Sequence, residues 1–207
     1  MRTAFEIKKM LLETIKCKNG KLYNLAFHRD RFDAARLNFY PDAPKLELSE
    51  LIEVPGQCRK GLFRCRVLYA EGIEKIEFLP HRIRDIQSLR LVADDSIDYP
   101  FKYADRSKLD ALFDLRGNCD DILIVKNDCI TDSYYANPIF FDGEKWWASD
   151  TPLLHGTQRA RLLAEARISV CRITVSDLPK FKKVGLVNAL QDMDEMPVVR
   201  IESISGI

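Results

Sequence analysis

The sequence is short of long apolar runs, of histidine and of net charge. No run approaches the ~20 apolar residues that a membrane-spanning helix needs, so no span is expected. The opening stretch, MRTAFEIKKMLLETIKCK, has neither the apolar core nor the small-residue cleavage site of a secretory signal. A net charge of +1 gives no electrostatic reason to bind nucleic acid or a membrane surface. The three histidines stand far apart and the six cysteines (17, 58, 65, 119, 129 and 171) form no Cys-x-x-Cys pair, which argues against a zinc site. Most of these cysteines lie in apolar runs such as Phe63-Arg64-Cys65-Arg66-Val67. They read as small buried hydrophobes in a reducing, cytoplasmic compartment. Repeats and low-complexity tracts are also absent.

What is present is a chain of 207 residues, 46% of them hydrophobic, enough to bury the core of one large domain or two small ones. Residues 10–24 carry two extended runs around Asn19-Gly20, the strongest short hairpin signal. The period then turns helical over 25–39, with Leu25, His28, Phe32, Ala35 and Phe39 on one face and Pro41 as the stop. A short helix is expected at 47–53, a second hairpin at 61–70 and 73–79 around Glu71-Gly72, and a strand at 87–93. The acidic, aperiodic stretch 94–101 (DDSIDYPF) reads as a linker. Beyond it we expect a helix at 105–115 and a strand at 121–127 (DILIVKN) buried on both faces. Further strands are expected at 138–148, with an Asp142-Gly143 turn, and at 168–174, 184–189 and 196–203, with a helix at 157–167 capped by Gly156. The pattern predicts an α+β chain with two sheets, each carrying one or two helices. It divides into a small N-terminal domain (1–95), a linker (96–101) and a C-terminal domain (102–207).

Four places could carry chemistry. Lys102 is flanked by Phe101 and Tyr103; a partly desolvated lysine loses proton affinity and becomes a usable amine nucleophile, whereas the plainer reading is an exposed lysine beside a linker. Asp132 is either an ordinary strand-end aspartate or a carboxylate facing a ring nitrogen. Gly156-Thr157-Gln158 opens a helix whose first amides have no partner within the helix and whose dipole favours an anion, although a simple N-cap would look the same. Asn188-Ala189, after a predicted strand, could add donors to that anion. Arg31, in His28-Arg29-Asp30-Arg31, could grip a phosphate with two parallel N–H groups, while His28 on the apolar stripe reads as a core histidine. A lysine, a carboxylate and a Gly-Thr helix start, in that order, are the three contacts that pyridoxal phosphate (PLP) requires. The lysine holds the aldehyde as a Schiff base, the carboxylate faces the ring nitrogen, and the helix start receives the phosphate.

From about residue 10 to 200 the chain resembles the class IV aminotransferases, the PLP enzymes of fold type IV. This family includes branched-chain and D-amino acid aminotransferases and aminodeoxychorismate lyase. Its Phe-Glu-Thr-like strand, Gly turn and His-x-x-Arg helix read here as Leu12-Glu13-Thr14-Ile15, Asn19-Gly20-Lys21 and His28 to Arg31. The lysine preceding an Asp-Arg pair is Lys102 before Asp105-Arg106, and the Thr-Glu-x-x-x-x-Asn frame is Thr131-Asp132 to Asn137. The Thr-Pro…Leu-x-Gly-x-x-Arg segment is Thr151-Pro152 and Leu154 to Arg159; Asn188-Ala189 and Met196-Pro197-Val198 complete the set. The departures are a first strand and Gly-rich lead-in that are largely missing, Asp in place of Glu at 132, and no Thr-Arg-Gly after the 61–70 strand.

The resemblance implies a two-domain, D-amino acid aminotransferase-like fold that binds PLP and acts as a homodimer on a small amine or amino acid. By the same resemblance Lys102 is the catalytic lysine, and Arg31, Asp132, Gly156, Thr157, Gln158, Asn188 and Ala189 hold the cofactor. It points first to a 4-amino-4-deoxychorismate lyase-like reaction giving 4-aminobenzoate and pyruvate for folate synthesis. The other readings are an amino acid transaminase and a PLP-binding protein without turnover. Arg64 and Arg66 are candidates for substrate carboxylates, or simply the solvated face of a strand.

Overall fold

The computed structural model describes residues 9–206. The chain forms two compact units, one made of the residues through Pro80 together with Phe101–Asp105, the other of His81–Pro100 and everything from Arg106 onward.

In the first unit, β1 (Leu11–Lys18) turns through Asn19 and Gly20 into β2 (Lys21–Leu22). Both turn residues have positive φ (51° and 81°), the conformation for which Asn-Gly is suited. Helix α1 (Leu25–Phe39) follows, then α2 (Leu48–Leu51), β3 (Leu62–Tyr69) and β4 (Ile73–Pro80). The sheet is antiparallel in the order β2-β1-β3-β4. Alternation puts Leu11 and Ile15 of β1, with Cys65, Val67 and Tyr69 of β3, on the face that α1 covers with Phe32 and Ala35. Leu25 and Phe39 are only partly buried, and Arg36 is buried in addition, because its Nη2 donates to the carbonyls of Pro44 (2.8 Å) and Glu71 (2.6 Å). The start of β1 is paired on its other edge by the returning segment 101–105. There Leu12 N–H donates to Lys102 O (2.9 Å) and Ala104 N–H to Met10 O (2.9 Å).

The second unit holds two sheets. Its elements are β5 (Leu89–Ala93), α3 (Ser107–Asp114), β6 (Asp121–Lys126), β7 (Cys129–Ser133), β8 (Asn137–Phe141), β9 (Trp146–Ser149), α4 (Thr157–Ala164), β10 (Ser169–Cys171), β11 (Lys183–Val187), β12 (Val198–Arg200) and β13 (Ile204–Ser205). One sheet runs β13-β5-β6-β7, the other β10-β9-β8-β11-β12. In β8 the side chains alternate between two cores. Phe140 joins Leu89, Leu123, Ile130, Val184 and Leu186, while Ile139 joins Ala148, Val187 and Leu162 of α4. The central strands β8 and β11 of this sheet are therefore buried on both faces, as their apolar sequences require.

Three expectations are corrected. The described residues form three sheets rather than two. The strand at 87–93 belongs with the second unit, because β5 pairs in parallel with β6 over Leu89–Ala93 and Asp121–Val125. The stretch 96–101 is not a free linker, since Ile97 and Tyr99 are buried and Lys126 Nζ donates to Ile97 O (2.6 Å). Lys102 correspondingly lies in the first unit rather than in a C-terminal domain beginning there. Among the described residues, no helix is long and apolar enough to cross a membrane.

Candidate functional site

In the first unit, Lys102 is half-buried on the segment that edges β1. Its neighbours Phe101 and Tyr103 face Phe39 edge-on, with ring centroids 4.8 and 6.1 Å away, which anchors the segment on both sides of the lysine. One residue beyond Leu12, the β1 partner of Lys102, Glu13 is completely buried and accepts three hydrogen bonds from one turn of α1. These come from His28 Nδ1 (2.6 Å), Arg31 Nε (2.9 Å) and Arg31 Nη2 (2.6 Å). His28 and Arg31 are three residues apart and so share a helix face. Burial alone would raise the Glu13 pKa, but the Arg31 charge and the donors of His28 and Arg31 hold it down at about 2. Burial pushes the His28 pKa down, against the pull of Glu13; the charge of Lys102 adds slightly in the same downward direction.

In the second unit, the tight turn 133–136, closed by Ser133 N–H to Ala136 O (2.8 Å), separates Asp132 at the end of β7 from Asn137 at the start of β8. Asn137 Nδ2 donates to Asp132 Oδ1 (2.7 Å) and to Leu154 O (2.9 Å), and Leu154 N–H donates to Asp132 Oδ2 (2.9 Å). Burial raises the Asp132 pKa to about 7 even though these donors and the charge of Arg159 act to lower it. Arg159 is itself buried, with Nη2 held by Ser149 O at 2.9 Å. Two residues past Leu154, Gly156 caps α4 in an extended conformation any residue could adopt (φ −68°, ψ 142°). Glycine is needed there for space, because a Cβ would lie 2.1 Å from Asn137 Oδ1. Register places Asn137 opposite Val187, so the Asn188-Ala189 turn leaves β11 beside it. Asn188 Oδ1 accepts from Leu190 N–H (2.9 Å), and Gln158 Nε2 donates to Asp192 Oδ1 (2.8 Å), tying that turn to the first turn of α4.

No protein-family model matches the chain. An uncharacterized protein of Haemophilus influenzae is 36% identical over 185 residues, covering 88% of this chain and 98% of its own. A solved structure from Haemophilus somnus, provisionally described as a 4-amino-4-deoxychorismate lyase, is 32% identical with a TM-score of 0.85 over 89% of this chain and 98% of that one. The chain belongs to the class IV aminotransferase family. The branched-chain amino acid aminotransferase of Escherichia coli shares the fold at 16% identity, with a TM-score of 0.72 over 99% of this chain and 79% of that one. As a class IV member the protein is an enzyme of fold type IV, a family whose cofactor is PLP.

The residues present fit that cofactor. A buried carboxylate with only neutral hydrogen-bond donors in contact is suited to a protonated ring nitrogen. A helix start whose cap brings no side-chain acceptor is suited to a phosphate. Asp132, Gly156, Thr157, Gln158, Asn188 and Ala189 all lie in the second unit, with Asp132, Thr157 and Gln158 buried; Lys102 and Arg31 lie in the first. The edge of Arg31 expected to grip a phosphate is turned to Glu13. Arg64 is exposed and Arg66 pairs with Glu77 (2.5 Å), the solvated-face alternative. The sequence reading missed Glu13 as a charged centre and gave Asn137 no role. A lone Glu within the apolar run Leu11-Leu12-Glu13-Thr14-Ile15 was the available signal for the first.

Proposed function

We propose that this class IV enzyme is a 4-amino-4-deoxychorismate lyase-like protein that forms 4-aminobenzoate and pyruvate. The observation that carries the reading is the Asp132 carboxylate, buried and joined through Leu154 to the start of α4. The Haemophilus somnus relative supports the lyase branch. In this reading Lys102 Nζ binds the cofactor aldehyde, and the amides of Thr157 and Gln158 with the Asn188-Ala189 turn hold the phosphate, while Arg31 stays with Glu13. When bound, PLP supplies an electron sink for the carbanion formed at the substrate carbon. Asp132 keeps the ring nitrogen protonated. Lys102 Nζ would take the proton from the ring carbon that bears the substrate amine and return one to the leaving group as pyruvate departs and the ring becomes aromatic. A homodimer working in the cytoplasm, in folate synthesis, is part of the same proposal.

The test is a visible spectrum of the purified protein with added PLP, alongside Lys102→Ala. A band in the wild type that is lost in the variant is the expected result. Pyruvate release from aminodeoxychorismate, with no half-reaction across a panel of amino acids, then separates lyase from transaminase. No band at saturating PLP overturns the reading.

A further inference from the structure

One side chain touches both halves of the second unit's proposed cofactor contacts. Asn137 Nδ2 reaches the Asp132 carboxylate at 2.7 Å and the Leu154 carbonyl at 2.9 Å, while Asn137 Oδ1 fills the space where Gly156 lacks a Cβ. Leu154 closes the ring by donating its own N–H to Asp132 at 2.9 Å. Asn137 is buried, its backbone is fixed in β8 opposite Val187, and its amide has little room to turn. A shorter side chain would leave Asp132 Oδ1 and the Leu154 carbonyl without this donor; a residue other than glycine at 156 would push the amide away.

We propose that Asn137 is a positioning residue that locks the Asp132 carboxylate to the start of α4 through Leu154 and Gly156. The spacing between the ring-nitrogen contact and the phosphate contact is then set before the cofactor arrives. This rests on the reading of Asp132 and α4 as PLP contacts. It also accounts for how the shorter Asp serves at position 132. The carboxylate is fixed from behind by two donors, so its aim does not depend on a longer side chain finding its own rotamer.

The experiment is a PLP titration of the apoprotein, followed by visible absorbance across a pH series, for wild type, Asn137→Ala, Gly156→Ala and the double variant. Asn137→Ala is expected to weaken PLP binding about tenfold or more, the scale of an unmade bond at a buried polar group. It should also move the pH below which affinity falls to higher values, since Asp132 loses a donor to its charged form. Gly156→Ala should do the same. The double variant should be no weaker than the worse single one, because both changes break one contact. Binding by Asn137→Ala within about twofold of wild type, or losses that multiply in the double variant, would overturn the proposal while leaving the PLP reading intact. A wild type that binds no PLP overturns both. If circular dichroism shows Asn137→Ala unfolded, Gly156→Ala carries the test, and wild-type affinity in that variant sinks the idea.

Discussion

Glu13 in the first unit and Asp132 in the second are both buried carboxylates, 0% and 8% exposed, and both accept well-formed hydrogen bonds. Burial raises the pKa of each, yet Glu13 ends at about 2 and Asp132 at about 7. The difference lies in who donates. Glu13 is gripped through two oxygens by a guanidinium and by the His28 ring. Asp132 receives a backbone amide and a side-chain amide, both neutral, while the nearby guanidinium of Arg159 gives a hydrogen bond to Ser149 O. Hydrogen bonds alone do not compensate for burying a charge; an opposite charge in contact does. Glu13 is a finished structural centre, and Asp132 is one positive charge short.

The sharpest way to break this contrast is Arg31→Leu. It strands Glu13 with His28 alone, and should destabilise the apoprotein by about 3–5 kcal/mol in urea unfolding; a loss below about 1 kcal/mol would show that Arg31 is not the compensating charge. Next come the pH profiles, whose signs are opposite. Glu13 has a folded pKa below its ordinary 4.5, so the unfolded chain binds the extra proton. Its contribution, about 3 kcal/mol, is complete above pH 4.5 and is lost as the pH falls toward 2. Asp132 has a folded pKa above its ordinary 3.8, so the folded chain binds the extra proton. Stability of the apoprotein should therefore decline as pH rises from about 4 to about 7, by up to about 4 kcal/mol. Glu13→Gln should flatten the acid limb and Asp132→Asn the neutral one, both read from urea midpoints across pH. Saturating PLP should also remove the neutral decline, by supplying the missing cation; a decline that persists in the holoenzyme would separate Asp132 from the cofactor. The smallest effect is expected from Arg66→Ala, whose partly exposed pair with Glu77 should be worth under about 1 kcal/mol in the same assay.

Local chemistry explains what could be read in advance. The Asn19-Gly20 turn, the span of α1 before Pro41 and the Gly156 helix start each depend on a few adjacent residues, and each appears where the sequence put it. The second unit's partition was not legible, because β5 and β6 are parallel and joined across a helix, and such a pairing leaves no turn signal. β7 was missed although Asn127 and Asp128 both take positive φ (49° and 63°), because its five residues end in Thr-Asp-Ser rather than in an apolar run. At the site, Lys102, Asp132 and the α4 start stood out by type and order. Asn137 appeared only as the end of a motif, without a role, since its meaning comes from two contacts 17 and 5 residues away in the chain. Glu13 was hidden because strand periodicity treats a charged inward position as an exception and says nothing about its partners on α1.

The segment that carries Lys102 belongs to the first unit while the residues on either side of it belong to the second, so the chain passes between the units three times. No single cut of the chain delivers either unit whole. A fragment ending at residue 100 would leave the start of β1 without the strand that pairs it, and a fragment beginning there would lack β5. Either unit on its own therefore needs two separate stretches of the chain.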